Sequence, residues 1–438
     1  MTMKRIVLIG APCLVFCLFV CSRNAVSEKK QANIQVELDS SSAHALLDLF
    51  NRDKITDEEL LRVSKLPATQ AMIQQAARFD PSATEDNFKS SLRRVIEHGS
   101  SEIDPFRFTI VKTRLELVRS LLKQIESSPR TFVDAVIGRM REYAPDNIAL
   151  KTKVYFIVGG TSDGFAPTGD TFYIALHYYG DDYDGLKMLM AHELFHNVQA
   201  ALRSAPGKDR QRPPAPTNIS NSFAILSNTV NEGTASMVGD ALLLPGGKQY
   251  SDFLKAKYKR NLDRSQSNFA LFEALLYRAY NDPGADYNQL YNLGFTGTWD
   301  SPLYFVGYRM GKVIEKYKGK EAVKASVGAE PLQFFKQYIE IYKQQNDPEI
   351  IRFSEPCEEI LQRLQLVGAK YRLNRAAHQG DISFSETGQP RDIRASRLVP
   401  RMGGRTSHST GRSDGTSRII FAYDEVESYL PRAGQFQR

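Results

Sequence analysis

The stretch LKMLMAHELFHNVQAAL, residues 186–202, decides how this chain is read. It holds neither Gly nor Pro, and Leu186, Met188, Leu189, Met190, Leu194, Phe195 and Val198 leave it little polar surface. A helix that is apolar on nearly every side is a buried one. Polar groups inside it need partners, and it contains His192, Glu193 and His196. Residues four apart lie on one helix face, so the two imidazoles can point at a single ion. Glu193 projects about 100° further round, beside such an ion, where it can take a proton from water. The pattern His-x-x-x-His with Glu second is short enough to occur by chance, and the competing reading is a pair of core histidines bonded to backbone. The uncharged neighbours Met190, Ala191, Leu194, Phe195 and Val198 favour the metal.

Three protein ligands are expected when zinc keeps a fourth position open for water, so a third is sought downstream. Glu232, in TVNEGTASM at 229–237, is the candidate. It falls in a helical pattern running from Ser222 to about Leu244, in apolar company where a carboxylate needs a reason. The alternative is an ordinary helix-surface glutamate.

Together these residues resemble the gluzincin type of zinc metallopeptidase, in which the His-Glu-x-x-His helix precedes a second helix carrying a ligating glutamate, often after Asn. Asn231-Glu232-Gly233 and Ala235 match that second element. With the strands before the motif and Tyr304-Phe305-Val306-Gly307-Tyr308 after it, the chain most closely resembles uncharacterised bacterial zinc-dependent peptidases, over roughly Lys153 to Tyr342. The resemblance implies an α+β, mainly α fold with a zincin-like catalytic domain: a small sheet, an active-site helix and a glutamate helix. It implies one Zn2+ per chain on His192, His196 and Glu232, and hydrolysis of peptide or protein substrates by a metal-activated water with Glu193 as general base. It also implies a tyrosine hydroxyl that stabilises the oxyanion, Tyr304 or Tyr308, with Tyr304 favoured; both can equally be core aromatics.

The sequence departs from the type in three respects. His196 and Glu232 are 36 positions apart, longer than in common members, and the Pro-rich run from Ser204 to Ile219 accounts for the excess. Ser236 stands where some members carry an aspartate that orients the first histidine, so His192 must find its partner elsewhere. No Gly-x-Met-Glu-Asn motif is present, which weakens an aminopeptidase assignment.

Working outward, Val154 to Val158 and Thr171 to His177 are β-branched and aromatic runs that predict two paired strands, separated by a turn-rich segment from Gly164 to Asp170. The second is expected to be the edge along which an extended substrate pairs, with His177 either in the cleft or structural. From Val36 to about Asn147 the apolar spacing is helical, and Thr56 before Asp57-Glu58-Glu59 is a helix-start signal. Further helices are predicted at Phe253–Leu262, Asn268–Tyr280, Leu303–Tyr317, Pro331–Gln344 and Glu355–Leu366. The lone Trp299 is either a pocket wall or packing. The expected organisation is a leader at 1–22, an N-terminal helical region at 28–150, the catalytic domain at 151–376 and a disordered Arg/Gly/Ser-rich tail at 377–438.

Lys4-Arg5 before the apolar run Ile6 to Val20 is a secretory signal pattern, with cleavage after Ser22 or Ser27. It predicts a secreted or envelope protein with no stable membrane span after cleavage; Val20 before Cys21 argues against lipid anchoring there. Cys13, Cys17 and Cys21 fall in that leader, leaving Cys357 to behave as a small buried hydrophobe. Of the net charge of +7, the stretch 371–438 supplies much, with 11 Arg, no Lys and 7 acids. The body is near neutral and offers no evidence for a nucleic-acid-binding face, so no nucleic-acid partner is expected. The same ligands can also hydrolyse a non-peptide amide or ester, and a catalytically silent zinc-binding envelope protein is the reading from another class; Glu193 argues against the latter, since a purely structural metal needs no base.

Overall fold

The computed structural model describes residues 32–168, 170–203 and 213–368. The expected leader with Cys21, the tail at 377–438 and most of the Pro-rich run lie outside the described residues. The elements run β1 (Asn33–Asp39), α1 (Ser41–Leu49), α2 (Asp57–Ser64), α3 (Pro67–Ala77), α4 (Glu85–His98), α5 (Phe108–Thr113), α6 (Leu115–Ser127), α7 (Pro129–Arg141) and β2 (Ala149–Ile157). They continue through β3 (Gly164–Thr168), β4 (Thr171–Ala175), α8 (Tyr183–Arg203), α9 (Thr217–Val238), α10 (Gln249–Asp263) and α11 (Ser265–Asn281). The last are α12 (Tyr287–Phe295), α13 (Pro302–Lys318), α14 (Lys320–Ser326), α15 (Pro331–Gln344) and α16 (Glu355–Gly368). The fold is mainly helical with one four-stranded sheet among the described residues.

The sheet corrects three expectations. Its order is β1-β2-β4-β3, with β1, β2 and β4 parallel and β3 antiparallel to β4. Val36 to Asp39, expected to be helical, is strand, because apolar and polar residues alternate there as Ile34, Val36 and Leu38. The turn-rich stretch from Gly164 is itself the strand β3, tight against Phe172: a Cβ on Gly164 would sit 2.7 Å from that ring. β4 is therefore internal, since both its sides are hydrogen-bonded, and β3 is the edge on that side. The strand ends at Ala175, and His177 sits in a short 3₁₀ turn, buried.

The sheet also joins the N-terminal helices to the rest, because β1 pairs residue by residue with β2, from Asn33↔Ala149 to Asp39↔Tyr155. Buried apolar side chains from Ala32 to Leu364 form one continuous core. Thr56 closes the predicted helix start as a reciprocal cap: its hydroxyl accepts from Glu59 N, and the Glu59 carboxylate accepts from Thr56 N. Cys357 is buried on α16, where burial pushes its thiol pKa up and leaves it inert.

Two helices define the centre. α8 packs on β2, α6, α7, α9 and α10, which explains its nearly uniform apolar sequence. α9 packs on α8, α11, α13 and α15 and is buried on every side from Thr229 to Val238. No described helix is long and apolar enough to cross a membrane.

Candidate metal centre

The glycine after Glu232 sets the spacing of the site. A Cβ on Gly233 would fall 2.3 Å from the Gly307 carbonyl carbon, and one on Gly307 would fall 1.9 Å from Thr229 O. Only glycine at both positions lets α9 and α13 come this close, despite the helix propensity each gives up. Gly239 does the same for α8, since a Cβ there would lie 2.7 Å from His192 Cβ. Glu232 is thereby held between α8 and α13, and only 3 % of its surface is exposed.

His192, His196 and Glu232 converge, each offering one ligand atom within 4.8 Å of the others. Glu232 Oε2 lies 3.5 Å from His192 Nε2 and 3.4 Å from His196 Nε2. The two imidazole rings are nearly perpendicular, with centroids 5.0 Å apart. Glu232 Oε2 is buried and makes no hydrogen bond, a costly state for a carboxylate oxygen unless a cation meets it. Two imidazoles and a carboxylate are the donor set of a catalytic zinc site with one open position. These residues can hold a metal ion.

The protonation of His196 is set by a residue that the sequence reading passed over. Gln199, one helical turn on and 1 % exposed, donates through Nε2 to Asn231 O at 2.8 Å and to Thr234 Oγ1 at 2.9 Å. Its Oε1 is left to face His196 Nδ1 at 2.8 Å, so Nδ1 carries the hydrogen and Nε2 faces the ligand cluster. Burial opposes a charge on His196, but the Glu232 carboxylate outweighs it and raises the histidine to about 9. Burial works against Glu232 as well, and the two histidines, His196 foremost, bring it down to about 2. A proton and a cation compete for the same nitrogen. No described side chain is seen to hold His192 in this way; its ring lies nearly parallel to that of Tyr304, 6.3 Å away.

Glu193 opens onto a cavity of about 500 Å³, which His192 and Tyr304 also line. Burial raises its pKa, the two histidines pull the other way, and Glu232 adds to the rise. Of the two tyrosines, the structure brings only Tyr304 to the site: burial and then Glu232 push its hydroxyl well above the ordinary value. Tyr308 takes the core position that the sequence left open for it. Its hydroxyl donates to Asp240 Oδ2 at 2.9 Å, away from the cavity, because one helical turn carries it behind α13 toward the end of α9. Tyr291 on α12 was not singled out from the sequence, yet it lines the cavity and its hydroxyl is raised by burial and then by Glu232. An aromatic in a short amphipathic helix gives no sequence signal that separates it from packing.

The start of α13 is strained. Asp300 and Ser301 adopt left-handed φ values of 66° and 52°. The Asp300 carboxylate accepts from Arg260 and Arg264, and its carbonyl from Asn261, so the end of α10 and its junction with α11 clamp the turn that aims Tyr304. Trp299 beside it is 56 % exposed and is not part of the cavity wall, so it is no pocket residue.

Over residues 61–347 the sequence matches the family described as "Putative zinc dependent peptidase (DUF5700)". The chain belongs to this family. The matched stretch contains every residue of the metal cluster, Glu193 and Tyr304, and it leaves out β1 and α16. No curated protein and no solved structure matches the chain.

Proposed function

We propose that this member of the family is a zinc-dependent hydrolase of peptide bonds, of the gluzincin type, with His192, His196 and Glu232 as the ligands of one zinc ion. The observation that carries the reading is the convergence of those three side chains, with a buried Glu232 Oε2 that makes no hydrogen bond among them, beside a cavity that His192, Glu193 and Tyr304 line. Zinc bound there would supply Lewis acidity toward the scissile carbonyl and the attacking water.

The chain's own residues do the rest. Glu193 takes a proton from the attacking water and passes it to the leaving amine; burial lifts its pKa from the usual carboxylate value, which makes it a stronger base toward water. Tyr304 keeps its proton because burial and the nearby Glu232 charge disfavour the phenolate, so it can donate to the oxyanion of the tetrahedral intermediate. Gln199 holds the ring of His196 in the ligating orientation. The edge strand β3, beside β4, offers backbone groups to an extended substrate. We also propose that the chain is exported through its N-terminal leader, on the charged and apolar pattern of residues 4–20.

The test separates metal from base. Glu193→Gln retains about one zinc per chain by elemental analysis while hydrolysis of a generic peptide mixture falls by roughly 10³-fold. Wild-type protein that holds no zinc after reconstitution, or a Glu193→Gln variant as active as wild type, overturns the proposal.

A further inference from the structure

Besides the residues already described, the cavity is lined by Arg107, Arg114, Thr161, Ser162 and Asp163. Gly159 and Gly160, both at a φ of +99°, turn the chain after β2 against Phe106, Phe108 and Met72, and this presents Thr161 to Asp163 to the cavity. Arg114 comes from the junction of α5 and α6. Its Nη1 donates to the carbonyls of His177 at 2.9 Å and Tyr178 at 3.3 Å, and its Nη2 to Gln249 Oε1 at 3.1 Å. All three acceptors are neutral, and no carboxylate among the described residues pairs with this half-buried guanidinium. A cation withdrawn from water without a counter-ion is costly.

Two donors of the same cavity lining are also unmet. The hydroxyls of Thr161 and Ser162 are buried without a hydrogen-bond partner, and Ser162 is only 6 % exposed. Behind this wall His177 Nδ1 accepts from Gly159 N at 3.3 Å, which leaves the ring hydrogen on a buried Nε2 with no acceptor. Burial, then Arg107 and Arg114, hold that ring neutral, with its pKa down at about 3. Of the acids that line this cavity, Asp163 accepts from Gly164 N at 2.9 Å and from Tyr250 OH at 3.4 Å, and Asp252 accepts from Gly247 N at 3.0 Å. Tyr250 packs on Tyr179, 4.5 Å between ring centroids, and Tyr179 lies close enough to Glu193 to feel its charge. The donor-rich wall and the proposed base therefore sit in one continuous space.

We infer that Arg114, Thr161 and Ser162 form a subsite for a carboxylate of the substrate, either an acidic side chain or the free C-terminal carboxylate of a peptide. A carboxylate gives the guanidinium a charge-assisted partner and gives both hydroxyls an acceptor. The inference rests on the peptidase reading for its substrate, and it makes the enzyme selective among peptides rather than general.

The experiment uses the zinc-loaded full chain and two pairs of otherwise identical peptides: a C-terminal acid against its amide, and an internal Glu against Gln. One carboxylate member is expected to exceed its neutral partner by roughly 10-fold or more in kcat/KM, and the pair that responds identifies the source of the carboxylate. Arg114→Gln brings that ratio close to one while cleavage of the neutral peptide persists. Arg114→Lys retains part of the ratio, which a purely structural role would not do. Ser162→Ala, whose hydroxyl holds nothing within the protein, folds normally and lowers the ratio by about 3- to 10-fold. Equal rates on acid and neutral peptides, or equal losses on both in Arg114→Gln, overturn the subsite. If no peptide is cleaved, the peptidase reading fails, and calorimetric binding of the same peptides to zinc-loaded Glu193→Gln decides the subsite: tighter binding of a carboxylate member supports it, and equal binding overturns it.

Discussion

At one end of the site His192, Glu193, His196 and Glu232 project from two helices packed side by side, with His192 and Glu193 on the cavity wall; the other end is Arg114, Thr161 and Ser162, which line the same cavity and come from loops that the fold brings together. The first end is an acceptor-rich cluster in which the buried Glu232 Oε2 makes no hydrogen bond and faces only the two imidazoles, and the second is a donor-rich wall in which two hydroxyls lack acceptors. Each end asks for the opposite charge, a cation at one and a carboxylate at the other. With a metal ion filling the first end, a substrate carboxylate held at the second would fix where the peptide lies relative to Glu193 before any chemistry occurs.

The comparison depends on Tyr304 belonging to the metal end and Tyr308 to the core. Tyr304→Phe is expected to lower kcat by roughly 10²-fold with KM and zinc content little changed, as for the loss of one oxyanion donor. Steady-state kinetics checks it; a change confined to KM would remove Tyr304 from the chemistry. Next in size is Gly307→Ala, whose Cβ must push α13 away from Thr229 O. It should destabilise the fold by about 3 kcal/mol in denaturant unfolding. An unchanged midpoint would show that close helix approach does not build the metal end.

Gln199→Leu removes the acceptor for His196 Nδ1–H and should weaken zinc binding by roughly 10- to 100-fold in a chelator competition. An unaltered affinity would mean that packing alone orients His196. The smallest effect belongs to Tyr308→Phe, which loses only the bond to Asp240. Its kcat should match wild type, and a fall comparable to that of Tyr304→Phe would reverse the assignment of the two tyrosines.

The metal end was legible in the sequence because its spacing is helical and local: His192, Glu193 and His196 lie within one turn, and Glu232 is a lone carboxylate in an apolar run. Gln199 was equally visible, a polar residue one turn past His196 in a buried helix, and the same argument that singled out the histidines applies to it. The other end was not legible. Arg114 lies in a helical stretch that reads as an ordinary amphipathic surface, and the need for a partner at Thr161 and Ser162 appears only when the loop after β2 is folded against Phe106 and Phe108. The helices α10, α11, α13, α15 and α16 are legible in kind because their apolar stripes have a regular period, whereas the short α12 and α14 gave no such signal. The sheet was harder: β1 is separated from its partner β2 by seven helices, and no local pattern shows which strand is the edge.

The central claim is tested most directly by anomalous scattering at the zinc edge from crystals of the full chain reconstituted with zinc. The account predicts one zinc per chain, ligated by Nε2 of His192, Nε2 of His196 and a carboxylate oxygen of Glu232. A chain that binds no zinc there, or a zinc ion that leaves Glu232 out of its ligands, would contradict it.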